Sequence, residues 1–307
     1  MNAYQTLKIG IEAGDFRILA RALTLVENDI EPGAELLKSL DIDQKIPVLG
    51  ITGPPGSGKS TLVSAIATAL IANGKKIAVL AVDPTSPFNF GSLLGDRIRM
   101  GTLFNHPNVY IRSIATRGAL GGVSLKTLEM VDLLKAAKFD LIILETVGVG
   151  QSEVEVAGLA DKTVVVLVPE AGDEIQNIKS GIMEIAQAFV VNKADREGAD
   201  TFANNLKKMM NENHQQVPVF KTIAAKNEGI SELTDWILKS APCDNEFKQQ
   251  LIAEKAIKLI QHARMKTVDQ VKLRNDLNDA LTQPHFNIYQ FIEKWMSATG
   301  IGLNDLS

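Results

Sequence analysis

Residues 53–60 have the composition of a loop that binds nucleotide phosphates. Gly53, Gly58, Lys59 and Ser60 fill the four defining positions of the pattern G-x-x-x-x-G-K-[ST]. Glycine lets backbone N–H groups converge on phosphate oxygens, because no Cβ intrudes. The lysine places a positive charge between the β- and γ-phosphates, and the serine hydroxyl can bind Mg²⁺. The predicted nucleotide contacts here are Gly53, Pro54, Pro55, Gly56, Ser57, Gly58, Lys59, Ser60 and Thr61.

A second segment, which contains Asn192, Lys193 and Asp195, has the pattern N-K-x-D and follows a predicted strand. An aspartate here can accept hydrogen bonds from the N1–H and N2–H₂ edge of guanine, whereas adenine offers no such pair of donors. A site built in this way can discriminate by about 10⁴-fold. The position of the motif after a phosphate loop therefore favours GTP over ATP. The later residues Ala224, Ala225 and Lys226 fit a backbone contact to the guanine O6, and they fit a plain loop nearly as well.

Two acidic residues end predicted strands that would deliver them to the phosphates. Glu145 follows the apolar run 141–144, at the position where P-loop enzymes usually carry a magnesium-binding aspartate. Asp83 follows the strand 77–82, where it can hold Mg²⁺ or the attacking water. The N–H of Gly148 can meet the γ-phosphate. We therefore predict Lys59, Asp83, Glu145 and Gly148 as catalytic residues.

For several other polar residues, residue type alone allows more than one role. Val149 occupies the position at which Ras-like enzymes carry a water-orienting glutamine, so slow unassisted turnover is expected. Asp96 fits a helix cap or a surface ion pair as well as a metal ligand. Gln176 and Lys179 lie one helical turn apart and are typical of solvated side chains.

The elements that must position these residues alternate between apolar runs and helical patterns from residue 45 to residue 240. Several runs are continuous Val, Ile and Leu, which is typical of parallel strands buried on both faces. The rhythm predicts an α/β fold with a doubly wound, mostly parallel sheet that binds ligands beyond the carboxyl ends of its strands. The predicted strands are 47–52, 77–82, 109–114, 141–144, 163–168, 189–191 and 217–223.

Helical patterns flank this region on both sides. Asp15 is the predicted cap of a helix that ends at Glu27, and a short helix follows Gly33. Near the C-terminus, Asn287 is the predicted cap of a helix in which Trp295 anchors the packing. The remaining predicted helices are 62–73, 247–264 and 268–281. We predict a helical extension in residues 1–44, a nucleotide domain in 45–240, and a C-terminal part in 241–307 that either packs on the sheet or reaches a second subunit.

Bulk composition excludes several classes of function. The 307 residues carry a net charge of −4, so no overall basic field attracts nucleic acid or anionic lipid. The single cysteine, Cys243, and four isolated histidines give no disulfide and no transition-metal pattern. The longest apolar run, residues 164–169, is too short to span a bilayer, and no signal peptide is visible. We therefore expect a cytoplasmic protein without nucleic-acid or membrane partners.

Seven segments of the sequence together resemble the MeaB/ArgK family of P-loop GTPases, which includes the human methylmalonic aciduria type A protein. The similarity extends from about Gly14 to the C-terminus and is most specific between Val48 and Asp195. The segments are G-P-P-G-S-G-K-S-T, V-D-P-T-S-P, G-D-R-I-R-M, R-G-A-L-G-G-V, E-T-V-G-V-G-Q-S-E, A-G-D-E-I-Q and N-K-A-D. Two loops depart from the common pattern, at Arg117 and at Ala224, where backbone contacts would survive the change.

The resemblance implies a G domain of the SIMIBI type with helical extensions, a homodimer, and GTP or GDP with Mg²⁺ as ligands. It implies a GTPase chaperone for an adenosylcobalamin-dependent acyl-CoA mutase, above all methylmalonyl-CoA mutase. Such a protein gates cofactor loading and protects or reactivates the mutase. The sequence does not distinguish this mutase from isobutyryl-CoA mutase.

The resemblance also assigns roles by position. Ser60, Asp83, Asp96 and Glu145 would surround Mg²⁺ and the γ-phosphate. Residues 148–157, with Gln151, resemble switch II, and residues 172–179 resemble an additional switch. In that second switch, Gln176 and Lys179 would signal to the mutase. These roles replace the surface assignments that residue type alone gave to Asp96, Gln176 and Lys179.

Three other functions are alternatives to this one. A GTPase that delivers nickel would need a Cys/His metal site, which the sequence lacks. A kinase linked to basic amino-acid transport would need ATP, against which the N-K-A-D segment argues. A non-enzymatic dimeric scaffold would bind nucleotide without releasing phosphate.

Overall fold

The computed structural model of the protein describes residues 2–83, 101, 103–104, 106–115, 125–146, 159–170, 186–212, 217–239, 246–266, 268–282 and 285–300. The chain forms two compact units, Met1–Leu251 and Ile252–Ser307. The first unit contains the sheet and the phosphate loop, and the second is helical in its described residues.

The first unit is built on a parallel sheet. Its strands are β1 (Val48–Thr52), β2 (Ile77–Asp83), β3 (Val109–Ala115), β4 (Leu141–Thr146), β5 (Lys162–Leu167), β6 (Ala188–Asn192) and β7 (Val219–Thr222). They lie in the order β3-β2-β4-β1-β5-β6-β7. Every strand predicted from the sequence is present, with ends that differ by at most two residues, so the parallel, doubly wound α/β fold is confirmed.

Helices cover both faces of the sheet because strands that are apolar on both sides must be buried on both sides. The helices are α1 (Ala3–Glu12), α2 (Phe16–Glu27), α3 (Gly33–Ser39), α4 (Lys59–Ala72), α5 (Leu125–Ala136), α6 (Ala199–Glu212) and α7 (Ile230–Lys239). On one face, α1–α3 and α5 pack on β1–β4 in one hydrophobic core, and α6 packs on β5 and β6. On the other face, α4 and α7 pack on the central strands.

The N-terminal helices include one that the sequence analysis missed. Helix α1 buries Leu7 and Ile11, which are four residues apart and so lie on one helical face. Helix α2 begins as predicted, because the Asp15 carboxylate accepts hydrogen bonds from the N–H groups of Arg17 (2.8 Å) and Ile18 (3.1 Å).

The second unit is made of helices in its described part. They are α8 (Glu246–Met265), which begins in the first unit, α9 (Gln270–Leu281) and α10 (Ile288–Thr299). Asn287 caps α10 as predicted, accepting hydrogen bonds from the next turn. Trp295 is buried, and its indole N–H donates to Asp276 at 2.9 Å, which confirms it as a packing anchor. Several large apolar side chains are exposed, including Ile260 and Tyr289.

Candidate nucleotide-binding site

The predicted phosphate loop connects β1 to α4 at the carboxyl edge of the sheet, and two of its glycines are required by close contacts. Gly53 has φ +143°, and a Cβ there would lie 2.1 Å from the carbonyl oxygen of Val166. Gly58 has φ +88°, and a Cβ there would lie 2.4 Å from Nδ2 of Asn192. Real Cβ atoms do not tolerate such distances, so both positions exclude larger residues. The loop is therefore held against β5 and the end of β6.

Helix α4 begins at Lys59, three residues before the predicted start at Leu62. The N–H of Leu62 donates to the carbonyl of Gly58 at 2.9 Å, so the last residues of the motif form the first helical turn. The N–H groups of that turn therefore belong to the loop itself. A helix N-terminus in this position favours phosphate binding.

The two polar residues of the motif lie in a buried polar cluster at the start of α4. Lys59 is 8% exposed, and its Nζ donates to the carbonyls of Gly53 (2.8 Å) and Pro54 (3.0 Å). The hydroxyl of Ser60 donates to Oε1 of Glu145 at 2.6 Å, and Glu145 is 4% exposed on β4. The fold thus brings Ser60 into contact with Glu145, which lies 85 positions later in the chain.

The donor set of Ser60 and Glu145 fits Mg²⁺, which prefers hard oxygen ligands and carboxylates beside nucleotide phosphates. The hydroxyl and the carboxylate are already within 2.6 Å of each other at the edge of the phosphate loop. Within the described part of the chain, no group of three or more His, Cys, Asp or Glu residues could hold a metal ion.

A pair of buried hydroxyls, which sequence reasoning missed, lies beside this cluster. Thr146 donates to Oγ1 of Thr52 at 3.0 Å, and both side chains are fully buried. Thr52 precedes Gly53 and Thr146 follows Glu145, so the hydrogen bond links the strand that enters the phosphate loop to the strand that carries the acid. Thr52 ends the predicted strand 47–52, but Thr146 lies beyond the predicted strand 141–144 and no motif connects the two residues.

Asn192, at the end of β6, connects three segments of the predicted site. Its Oδ1 accepts hydrogen bonds from the Thr222 hydroxyl and the Ala224 N–H, each at 3.1 Å. Its Nδ2 donates to the carbonyl of Ser57 at 2.9 Å. Lys193 adds a bond from its Nζ to the carbonyl of Gly56 at 2.8 Å. The N-K-x-D segment and the turn Ala224–Lys226 are thereby fixed to the phosphate loop.

Asp195 differs from these braced residues because its carboxylate faces solvent. Its side chain is 45% exposed and lies 3.5 Å from Nζ of Lys226, which is itself 58% exposed. Ala225 is also exposed, whereas Ala224 is buried. An exposed carboxylate next to a fixed turn is available to accept hydrogen bonds from the edge of a base.

Arg196 forms an ion pair that the motif did not predict. Its guanidinium donates to Glu170, which follows β5. The pKa of the Glu170 carboxyl is lowered, mainly by this hydrogen bond and further by the positive charges of Arg196 and Lys193. The segment after β5 is therefore tied to the residue next to Asp195.

The remaining predicted site residues are not all described. The backbone of Asp83 ends β2 beside Ala115, at the carboxyl edge of the sheet. The predictions for Asp96, Gly148, Gln151, Gln176 and Lys179 fall on residues that lie outside the described part of the chain.

Comparisons with known proteins give a consistent result. The family described as methylmalonyl Co-A mutase-associated GTPase MeaB matches residues 19–279. A putative GTPase of Pyrococcus abyssi is 47% identical over 235 residues, which cover 74% of this chain and 72% of its own. The mitochondrial methylmalonic aciduria type A homolog of Mus musculus is 37% identical over 270 residues, covering 80% of this chain and 63% of its own.

A solved structure agrees with these sequence relatives. The crystal structure of the LAO/AO transport system kinase has a TM-score of 0.68 at 26% identity, covering 99% of this chain and 95% of that chain. The family resemblance inferred from the seven segments is therefore confirmed, and with it the class of reaction. The chain belongs to the MeaB family and is a P-loop GTPase that binds guanine nucleotides.

Proposed function

We propose that this GTPase gates cofactor loading onto an adenosylcobalamin-dependent acyl-CoA mutase, above all methylmalonyl-CoA mutase, and protects or reactivates that enzyme. The observation that supports the proposal is the family match, whose description names the mutase and whose span includes both nucleotide motifs. The mouse relative, named for methylmalonic aciduria, points to the same metabolism.

In the proposed nucleotide complex, the loop at residues 53–61 binds the phosphates through backbone N–H groups. Lys59 then exchanges its bonds to the carbonyls of Gly53 and Pro54 for phosphate oxygens. Ser60 and Glu145 would hold Mg²⁺, which supplies charge neutralisation at the β- and γ-phosphates when bound. Asp83 and Asp96 are proposed to complete this shell, and the Gly148 N–H to contact the γ-phosphate.

At the other end of the nucleotide, Asp195 is proposed to read the N1–H and N2–H₂ edge of guanine. Asn192 and Lys193 hold the turn on which Asp195 lies, through their bonds to Ser57 and Gly56. The turn Ala224–Lys226 is proposed to approach the O6 edge of the base. Its buried end is fixed by the bond from Ala224 to Asn192.

Hydrolysis without a partner is proposed to be slow, because Val149 replaces the water-orienting glutamine of Ras-like enzymes. We expect turnover well below about 1 s⁻¹ for the isolated protein, as in unassisted relatives of that type. The mutase would complete the site through the proposed switch residues Gln151, Gln176 and Lys179. Phosphate release measured with and without mutase tests this, and fast release by the isolated protein would contradict it.

A homodimer is proposed through residues 241–307. Exposed apolar side chains in the second unit, among them Ile257, Ile260 and Tyr289, support an interface there. Sedimentation of the full chain tests the proposal, and a monomer at micromolar concentration would contradict it.

The decisive experiment is co-purification with candidate mutases in the presence of a non-hydrolysable GTP analogue or GDP. The proposal predicts that one acyl-CoA mutase binds and that the amount bound depends on the nucleotide. Binding of no mutase, or binding that ignores the nucleotide, would contradict it. Two further measurements test the alternative functions. Transfer of phosphate from ATP to an acceptor would indicate a kinase, and stoichiometric nickel bound to the protein would indicate metal delivery.

The location in the cell is a separate question. Among the described residues, no helix is long and apolar enough to cross a membrane. The cytoplasmic location expected from the sequence stays a prediction, and cell fractionation tests it.

A further inference from the structure

We propose that Glu170 is a specificity-determining residue for the base: it holds the Arg196 guanidinium away from Asp195, so that the Asp195 carboxylate is available to guanine. The inference rests on the proposed role of Asp195 in reading guanine. The supporting observation is the ion pair between Glu170, which follows β5, and Arg196, which is next to Asp195.

The turn that contains Asp195 is held firmly before that residue. Asn192 is fixed to Ser57, and Lys193 is fixed to Gly56. The Ala194 N–H donates to the Thr222 carbonyl at 3.0 Å. After Asp195, the Arg196 N–H donates to the Lys193 carbonyl at 3.0 Å, and the Arg196 side chain pairs with Glu170.

The charges on this turn create a conflict that Glu170 resolves. Asp195 and Arg196 are neighbours in the chain, and their side chains are 45% and 48% exposed. A guanidinium is always charged and pairs readily with carboxylates. If Arg196 lacked its own carboxylate, it would compete with the base edge for Asp195.

Glu170 is suited to this role because it stays ionised. Its pKa is lowered, first by the hydrogen bond from Arg196, so the carboxylate is charged at neutral pH. The ion pair with Arg196 would be lost only as the pH falls through the lowered pKa of Glu170. Lys193, whose charge also favours the ionised form, is occupied by the carbonyl of Gly56.

This arrangement predicts unequal effects for the two halves of the ion pair. Glu170→Gln frees the guanidinium, so the affinity for GDP should fall by about fivefold, the upper range for an exposed charge pair. Arg196→Gln removes the competitor together with the pair, so the affinity should change by less than about twofold. The double variant should behave like Arg196→Gln, because Arg196 is absent from both and Lys226 remains beside Asp195 as in the wild type.

The measurement is the dissociation constant for GDP and for IDP, whose base lacks the 2-amino group. In Glu170→Gln the preference for GDP over IDP should shrink, since Asp195 is partly occupied. Added salt should restore the preference by screening the exposed charges. A matched control is Asp200→Asn, which breaks another exposed ion pair, to Lys221, without touching Asp195 and should change neither constant.

Three outcomes would overturn the inference: no change in Glu170→Gln, equal changes in the two single variants, or a double variant as weak as Glu170→Gln. Thermal unfolding of each variant identifies any loss of fold, and Glu170→Ala repeats the test if Glu170→Gln unfolds. Asp195→Asn, measured in parallel, distinguishes a failure of the Glu170 inference from a failure of the proposed role of Asp195. If it retains wild-type GDP affinity, the proposed base reading itself is wrong.

Discussion

The phosphate end and the base end of the nucleotide site are constructed differently. At the phosphate end, Lys59 and Glu145 are almost completely buried and have fixed protein partners. At the base end, Asp195 and Lys226 are about half exposed and lie 3.5 Å apart. Charges are coupled more strongly where water is excluded, and exposed pairs contribute little. The buried end is thus suited to chemistry, and the exposed end is suited to exchange of one partner for another.

The largest expected effect is a change of nucleotide at the exposed end. Asp195→Asn replaces an acceptor by a group that can donate, so GTP should bind poorly and XTP well. The ratio of the two affinities should change by up to about 10⁴-fold. Competition binding with both nucleotides measures this ratio. An unchanged ratio would contradict the base-reading role of Asp195, and with it the contrast between the two ends of the site.

At the buried end we expect a loss of catalysis without a change of nucleotide. Glu145→Gln keeps the shape of the side chain but removes the charge that would hold Mg²⁺. Hydrolysis should fall by about 10- to 100-fold, the usual cost of disturbing a metal shell. GDP affinity measured without Mg²⁺ should change little, because the contact of Glu145 in the described structure is to the Ser60 hydroxyl. A variant with full activity would show that Glu145 serves the fold and not the metal.

Two glycines of the phosphate loop give a matched pair with intermediate effects. Gly56 and Gly58 both have positive φ, +77° and +88°, but only a Cβ at Gly58 would strike Asn192. Gly56→Ala should cost about 1–2 kcal/mol of stability from the left-handed conformation alone. Gly58→Ala should cost more and should also weaken GDP binding. Equal behaviour in denaturant unfolding and calorimetry would mean that Asn192 does not brace the loop.

The buried hydroxyl pair should show a comparable effect on stability. Thr146→Val leaves the Thr52 hydroxyl buried without its partner, which should cost about 1–3 kcal/mol. The double replacement of Thr52 and Thr146 by Val should recover most of this loss. Thr163→Val is the control, because no described residue is hydrogen-bonded to the buried Thr163 hydroxyl, so its removal should be nearly neutral. Denaturant unfolding distinguishes these outcomes, and an unaffected Thr146→Val would contradict the coupling.

The smallest effect should come from the exposed ion pair at the base end. Lys226→Met keeps the aliphatic stem and removes the charge, so GDP affinity should change by less than about threefold. Calorimetric titration is sensitive enough to detect this. A tenfold loss would mean that the ammonium contributes directly to binding, and the contrast between the two ends would weaken.

The fold was predictable because the strands are continuous apolar runs and the helices have clear caps. Asp15 and Asn287 both accept the hydrogen bonds that their sequence positions predict. Helix α1 was missed because only two of its apolar side chains, Leu7 and Ile11, are buried. The early start of α4 was missed because the loop geometry, and not residue propensity, makes Lys59 helical.

The candidate site was predictable wherever a motif specifies several spaced residues. Parallel strands end at one edge of the sheet, so Ser60 and Glu145 were expected to meet, and they do. The Thr52–Thr146 bond and the Glu170–Arg196 pair were not predicted, because each depends on two residues that no shared motif connects. Such contacts require the register of the sheet, which a single sequence does not specify.

The core shared by α1–α3 and the sheet has a consequence for how the protein is made. Leu7, Leu23 and Leu36 are buried against side chains that include Ile142 and Leu144, which are synthesised much later. The first three helices therefore leave the ribosome before their binding surface exists. Contacts of high sequence separation form slowly. We expect the nascent chain to keep an exposed apolar N-terminus until β4 has emerged, which makes it a substrate for general chaperones during its own synthesis.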